Sequence, residues 1–478
     1  MKIKETRTKI IATYGPACED KDILLNMVKA GADVIRFNFS HGDWDFHKRG
    51  MEQVHAINEE YGLNITILAD LQGPKIRVGQ VEGEAIQLVK GNSLEITVKE
   101  SVSTDDKVFV NYDRLAKDVK KGEKILIDDG KIELLVTDSN NTDTVTAEVI
   151  HGGTLTSKKG VNLPHTKTSI PALTQKDKAD LDFAVEHGAN WIALSFVRDP
   201  EDIVSVKKLI GIGDDKLYLK VIAKIEKPEA LNEMDEIIAV SDGIMIARGD
   251  LGVEVPQEQM PLIQKDIIKK CIKAAKPVVV ATQMMETMIH SQQATRAEIT
   301  DVANAVIDGT DAVMLSGETS VGKYPVRVIE TMSKILTNVE KADLIYNKDL
   351  SANPQSPTFT SDAICYNSCN LSKEINAKAL IGMTRSGYTA FMTSSYRPKA
   401  GIFIFTDNRK LLNTLNICWG VKAFYYDKFV STDDTIADVI EILKVHNEVF
   451  IGDVVVNTAS MPMNQQARTN MIKLTVVN

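Results

Sequence analysis

Residues 218–254 read YLKVIAKIEKPEALNEMDEIIAVSDGIMIARGDLGVE, two apolar runs that each break into charge at the C-terminal end. The first ends Ala223-Lys224-Ile225-Glu226 and the second Ala247-Arg248-Gly249-Asp250. Strand alternation places Lys224 and Glu226 on one face. Asp250 arrives from the next strand, beside glycines that let backbone N–H groups approach a ligand. Two acids from adjacent strand ends, with a lysine between them, suit a hard divalent ion that holds an anionic substrate. A surface salt-bridge cluster is the bland alternative. It is disfavoured because charges that interrupt buried parallel strands carry a desolvation cost.

Similar runs recur outward from this stretch, at Thr8–Tyr14, Asp33–Phe39, Asn64–Leu71, Trp191–Phe196, Tyr218–Glu226, Gly243–Arg248, Pro277–Gln283 and Ala312–Ser316. Most are continuous Val/Ile/Ala/Leu segments, as strands covered on both faces should be. Amphipathic segments lie between several of them (Lys21–Ala30, Phe46–Tyr61, Lys176–His187, Met260–Ala275), and Gly31, Gly62 and Gly188 stand where helices should stop. Eight such βα units predict an α/β fold with a (β/α)₈ TIM barrel, whose active site lies at the C-terminal strand ends. Those ends carry Thr13, Arg36 with Asn38 and Ser40, Asp70, Ser195, Lys224 with Glu226, Asp250, Thr282 and Ser316. A rim that is polar after nearly every strand, and mixes a cation, acids and hydroxyls, predicts a reaction centre.

The barrel is interrupted after its third strand. Segments such as SLEITV, KVFVNY and DTVTAEVIHGG alternate with Gly, Asn and Asp turns, which predicts a small inserted all-β, barrel-like lid placed to exclude water above the rim. Beyond a polar linker at 341–360, KALIGM, GIFIFT, VKAFYY, EVFIGDV and MIKLTV alternate with helical stretches, which predicts a C-terminal doubly wound α/β domain. The expected divisions are 1–70 with 170–345 for the barrel, 71–169 for the lid and 355–478 for the C-terminal domain. There, Thr384-Arg385-Ser386-Gly387-Tyr388-Thr389 follows a strand and opens a helix, as an anion cradle would. An ordinary capped turn fits the same residues.

Composition narrows the classes. The chain has 478 residues, 44% hydrophobic and 25% charged, with net charge -9. That is a folded protein of several domains, disfavoured for general nucleic-acid or anionic-membrane binding. No apolar run reaches the ~20 residues of a membrane span, and the N-terminus shows no signal-peptide core. Five cysteines without a paired CxxC framework fit a reducing cytoplasm. No nucleophile–His motif and no zinc spacing appears, so covalent acyl chemistry and zinc catalysis are disfavoured. Glu226 and Asp250 suit Mg²⁺, while Arg36, Lys75, Arg77 and Lys224 suit a substrate with several negative charges. Phosphoryl transfer needs chiefly positioning and charge neutralisation, which this inventory supplies.

Spacing alone does not select the substrate. Arg36-Phe37-Asn38-Phe39-Ser40-His41-Gly42, Asp70-Leu71-Gln72-Gly73-Pro74-Lys75-Ile76-Arg77, Lys159-Gly160-Val161-Asn162-Leu163-Pro164, Asp242–Glu254, Ala281-Thr282-Gln283-Met284 and Thr295–Thr319 together resemble pyruvate kinases, in order over nearly the whole chain. The resemblance implies phosphoryl transfer from phosphoenolpyruvate to ADP, with Glu226 and Asp250 on Mg²⁺, or Mn²⁺ in its place. It implies that Lys224 stabilises the migrating phosphoryl and the enolate, and that Arg36 grips the phosphate. Gly249, Asp250 and Thr282 hold the carboxylate beside Ser316, with Thr282 in the proton relay. Thr13, Asn38, His41, Arg77 and Lys159 fall on the nucleotide side. It also implies a homotetramer, and a sugar phosphate or related effector at Thr384, Arg385, Ser386, Gly387 and Thr389.

Departures carry information. Lys75 stands where the family often has Glu, and Leu71 where it often has Thr. The family's potassium ion lies near Asn38, Ser40, Asp70 and residue 71. An ammonium at Lys75 supplies that charge permanently, so K⁺ is expected not to be required. Tyr14, Ala294 and His165 also depart from the common pattern, and Asn457–Asn464 lacks the glycines of the usual second effector loop. Two rivals share parts of the pattern: a lyase or aldolase of the phosphoenolpyruvate/pyruvate barrel group, and a non-catalytic effector sensor. The Arg36–Gly42 and Asp70–Arg77 motifs, the lid and the C-terminal domain oppose the first. Intact Lys224, Glu226, Asp250 and Thr282 oppose the second.

Overall fold

The computed structural model describes residues 6–164, 166–211, 219–348, 350–428, 431–461 and 468–478. His165, Tyr218 and the Pro462-Met463-Asn464 part of the glycine-free loop therefore lie outside the described residues.

The chain opens with β1 (Lys9–Thr13), β2 (Val34–Asn38) and β3 (Thr66–Asp70). The inserted region follows: β4 (Ala85–Leu88), β5 (Ser93–Thr97), β6 (Lys107–Phe109), β7 (Lys124–Ile127), β8 (Ile132–Ser139), β9 (Thr144–His151), β10 (Gly153–Thr156) and β11 (Val161–Asn162). The barrel resumes with β12 (Trp191–Leu194), β13 (Lys220–Ile225), β14 (Gly243–Ala247), β15 (Val278–Ala281) and β16 (Ala312–Leu315). Eight parallel strands close in the order β1-β16-β15-β14-β13-β12-β3-β2. Their cores, such as VVVA and GIMIA, are buried throughout. That is why they read as unbroken apolar runs. Several of the helices between them begin at side-chain caps, among them Asp20 and the Thr174/Asp177 and Thr295/Glu298 capping boxes. The helix after β1 ends at Gly31 and the helix after β2 at Gly62, both left-handed.

The insertion is a sheet of order β11-β7-β8-β9-β5-β6, mostly antiparallel, beside a β10-β4 pair. It is not purely β: a single helical turn, Leu115–Asp118, packs against it. Residues such as Ile96, Val108, Ile125, Leu134 and Val145 form a core of its own. It hangs on a two-stranded stem, where the Val161 N–H donates to Ile76 O (2.9 Å) and the Val78 N–H to Lys159 O (2.8 Å). Gly73 starts the stem with φ +68 and donates its N–H to Asp177 (3.0 Å). A Cβ there would meet Ser195 and Phe196 at 2.8 Å.

The last strands are β17 (Ala379–Met383), β18 (Gly401–Thr406), β19 (Val421–Tyr425), β20 (Val454–Ala459) and β21 (Met471–Val476), ordered β19-β18-β17-β20-β21. Only β21 is antiparallel. This domain covers the barrel end opposite the rim. Ile402, Leu411, Leu415 and Trp419 join the barrel core, Trp191 Nε1 donates to Thr414 O (3.0 Å), and Arg397 meets Asp311 at 2.9 Å with both side chains buried. No described helix is long and apolar enough to cross a membrane.

Candidate active site

Lys224, from the end of β13, is the hub of the rim. Its ammonium reaches Asp70 Oδ1 at 3.0 Å, Glu226 Oε1 at 3.0 Å and Ser195 Oγ at 2.6 Å, while its residue is only 9% exposed. Burial opposes that charge, but Asp70 and Glu226 outweigh it and raise the lysine's pKa. Asp70 is wholly buried, which alone would keep it protonated. Lys224 and Arg36 hold it ionised, below the usual carboxylate range. The Ser195 hydroxyl donates to Leu71 O (2.7 Å), so its lone pairs face the ammonium.

Arg36, from β2, donates from Nε to Asp70 Oδ2 (2.6 Å) and from Nη1 to Thr13 Oγ1 (3.0 Å). Thr13 in turn donates to Leu315 O (2.7 Å) and is buried. Thr13, one of the residues expected on the nucleotide side, turns its hydroxyl inward beneath Arg36 and orients the guanidinium. His41 lies outside this layer. The residue is exposed, yet partial desolvation lowers its pKa, and the charges of Arg77, Arg36 and Lys75 lower it further.

Across the rim, Thr282 and Gln283 both adopt left-handed backbone, at φ +68 and +55. For a β-branched residue this is a strained state that surrounding contacts must hold. Arg248 supplies them. Its Nη2 donates to Thr282 O (2.8 Å) and Gln283 O (3.3 Å), and its Nη1 pairs with Asp301 (2.7 Å). The Thr282 hydroxyl donates to Ala281 O (2.6 Å) and accepts from the Gly249 N–H (2.7 Å). The Gly249 N–H, expected with Asp250 and Thr282 to hold a substrate carboxylate, donates here to the Thr282 hydroxyl, at the start of the helix Arg248–Glu254. The Ser316 N–H donates to Glu318 (2.7 Å), a carboxyl whose pKa burial raises.

Glu226 is 2% exposed. Its pKa is raised first by burial and then by Asp250, against the pull of Lys224, and its Oε2 accepts the Phe196 N–H at 2.7 Å. Forcing a buried carboxylate against a second acid is the condition a divalent cation relieves. The two carboxylates fit Mg²⁺, which keeps its other positions for water and phosphate. No group of three or more His, Cys, Asp or Glu side chains with metal-holding geometry occurs among the described residues.

Other expected residues fall less simply. The Lys75 ammonium stands 3.8 Å from Asp250, rather than among Asn38, Ser40 and Asp70. Asp70 already accepts from Arg36 and Lys224, the Asn38 side chain accepts the Ser40 N–H (3.1 Å), and Leu71 O serves Ser195. On the lid, Lys159 pairs with Asp128 (2.8 Å), and Arg77 Nη1 donates to Lys158 O (3.0 Å). In the C-terminal turn, Thr384 accepts the Gly387 N–H (3.0 Å), Ser386 accepts the Tyr388 N–H (3.4 Å) and Arg385 pairs with Asp407 (3.3 Å). Thr389 does not face that turn. It is buried one residue into the helix and bonded to Thr469 (2.9 Å).

Three contributors were not assigned from sequence: Ser195 as a lysine ligand, the Phe196 N–H on Glu226, and the Arg248–Asp301 clamp. Ser195 and Arg248 at least stand at strand ends. A backbone N–H leaves no trace in side-chain pattern.

Comparison with known proteins agrees along the whole chain. A family model described as pyruvate kinase, barrel domain, matches residues 5–329, and one described as pyruvate kinase, alpha/beta domain, matches 362–475. The pyruvate kinase of Corynebacterium glutamicum is 42% identical over 468 residues, spanning 98% of this chain and 97% of the relative. That of Geobacillus stearothermophilus is 41% identical over 476 residues, spanning 99% and 80%. The crystal structure of a pyruvate kinase from Cryptosporidium parvum superposes with a TM-score of 0.92 at 33% identity, covering 99% of this chain and 96% of that one.

Proposed function

The chain belongs to the pyruvate kinase family, a phosphotransferase of glycolysis that moves the phosphoryl group of phosphoenolpyruvate to ADP, and we propose how its rim residues divide that reaction. Glu226 and Asp250 would hold Mg²⁺ or Mn²⁺, which when bound neutralises phosphate and enolate oxygens. Arg36, fixed by Asp70 and Thr13, grips the phosphate. Lys224 stands where donor and acceptor meet and stabilises charge that is largest in the transition state. The helix start at Gly249–Asp250 and the Thr282 hydroxyl receive the carboxylate, which takes over the Gly249 N–H from Thr282 and frees that hydroxyl to relay a proton to the enolate. Ser316 borders the same pocket. Asn38, His41 and Arg77 face the nucleotide, and Lys159 leaves Asp128 for it when the lid closes.

The observation that carries this reading is the buried Lys224 ammonium shared by Asp70, Glu226 and Ser195. A coupled assay for ADP-dependent pyruvate formation from phosphoenolpyruvate tests it. Activity that needs both ADP and a divalent ion is expected, and pyruvate formed without ADP would overturn it.

K⁺ independence follows from the same reading. Lys75 brings a permanent ammonium to the rim, 3.8 Å from Asp250, and so supplies positive charge there without a monovalent ion. Assays in tetramethylammonium buffer should match those in K⁺; a strong K⁺ requirement refutes the idea. Homotetramer formation is supported by the edge strand β21 with exposed Leu474 and Val476, near exposed Phe450 and Ile451. Light scattering tests it. An effector at the Thr384–Gly387 turn requires Arg385 to exchange Asp407 for an anion. Five free, buried thiols support a cytoplasmic setting.

A further inference from the structure

Glu254 ends the helix whose first turn carries Asp250, four residues and one turn further along. A carboxylate at a helix C-terminus opposes the helix dipole. It is nevertheless buried, and its Oε1 accepts from both Lys227 Nζ (2.6 Å) and Asn162 Nδ2 (2.8 Å). Its Oε2 is buried with no hydrogen-bond partner among the described residues. The three residues come from three places. Lys227 follows Glu226 directly in the chain. Glu254 shares a helix with Asp250. Asn162 belongs to β11, paired through Val161 and Asn162 to β7 of the lid. Asn162, Lys227 and Asp250 all line one cleft between lid and barrel.

We propose that Glu254 is a positioning residue that staples the two cation-binding carboxylates to each other and to the lid. The Lys227–Glu254 pair joins the backbone beside Glu226 to the helix bearing Asp250, which fixes the separation of the two carboxylates. Asn162 adds a hydrogen bond to the same oxygen only while the lid lies over this helix, so lid placement is transmitted to the cation site. An unpaired buried carboxylate is costly, so loss of Lys227 releases the helix rather than leaving it in place.

The inference rests on the assignment of Glu226 and Asp250 to the divalent ion. Its test is Mn²⁺ binding to the substrate-free enzyme, read from the electron paramagnetic resonance signal of free Mn²⁺. Supporting groups around a metal site are typically worth ~10- to 100-fold in affinity. Glu254→Gln and Lys227→Met should each weaken Mn²⁺ by that order, and Lys227→Arg should restore it. Asn162→Ala should weaken it by a smaller factor, although Asn162 is in the lid and touches neither carboxylate. Unchanged Mn²⁺ affinity in Lys227→Met and Asn162→Ala overturns the proposal, and these two decide it if Glu254→Gln fails to fold. Wild-type enzyme that binds no Mn²⁺, or a Glu226→Gln variant that binds it normally, instead sinks the underlying cation-site assignment.

Discussion

Replacing Lys224 by Met should abolish turnover and also reshape the pH dependence of stability. Each contact at 3.0 Å corresponds to about 5 kcal/mol of attraction at an effective dielectric of 20. Desolvation offsets much of this in the intact site, but removal of one partner from a buried pair typically costs about 3–5 kcal/mol. The burden falls on Glu226. Asp70 keeps Arg36, whereas Glu226 keeps only the Phe196 N–H and still faces Asp250. In the variant Glu226 relieves itself by taking up a proton. Its folded pKa then lies further above the unfolded value of 4.5, so the folded state binds more protons and stability falls as pH rises through that interval. The deficit against wild type should be larger at alkaline pH and shrink as pH falls toward the ordinary carboxylate range. Wild type shows the same trend more weakly, because Glu226 is already raised there but is still opposed by Lys224, whose own contribution is fully present below the ordinary lysine range. Urea unfolding at several pH values reads the stability. The coupled assay should show kcat reduced by at least ~100- to 1,000-fold, the loss typical for one preorganised electrostatic group. Lys224→Met with Glu226→Gln should recover most of the stability and none of the activity. Near-normal kcat in the single variant, or a deficit independent of pH, would refute the reasoning.

Three further outcomes are expected. NMR titration of His41 should give a midpoint below 6.5, and Arg77→Ala should move it upward without restoring it fully, since burial is the larger cause; a midpoint above 6.5 contradicts the cationic pocket. Because His41 resists protonation in the folded state, it should cost stability as pH falls below 6.5. Burial pushes Cys18 up to about 11 and Cys365 up to about 12, so native enzyme at pH 8 should react slowly with iodoacetamide, and unfolded enzyme should react at all five thiols. Gly73→Ala should cost about 1–3 kcal/mol through overpacking and backbone strain. It should also lower kcat, because the added carbon strikes Ser195, a partner of Lys224; a silent variant would mean that the stem does not brace the lysine.

The barrel was legible because each strand is buried on both faces and therefore reads as an unbroken run, as in KVIAKI and VVVA. The lid was legible for the opposite reason. β8, with alternating buried and half-buried positions, shows the period of a one-sided sheet. The convergence of Arg36, Asp70, Lys224 and Glu226 followed from barrel geometry, which brings successive strand ends to one rim. Contacts that depend on rotamer or main-chain direction were not legible. Thr13 turns inward under Arg36, Thr389 lies one residue too far into its helix to face the turn, and Lys75 swings to Asp250 because Asp70 is already held by two cations.

The stem at Ile76 and Val161 makes the chain leave the barrel and return within a single hydrogen bond. A segment whose two ends already touch is closed by its host, so its internal length and sequence add little to the cost of folding the barrel. The region it carries has a core of its own. Such a unit is an exchangeable cassette. A lid from a relative of different nucleotide preference could be spliced at these two residues, and the host would keep Asn162, the next residue along, with its bond to Glu254. Descent would have had the same freedom, altering what closes over the rim while the strands beneath stay fixed.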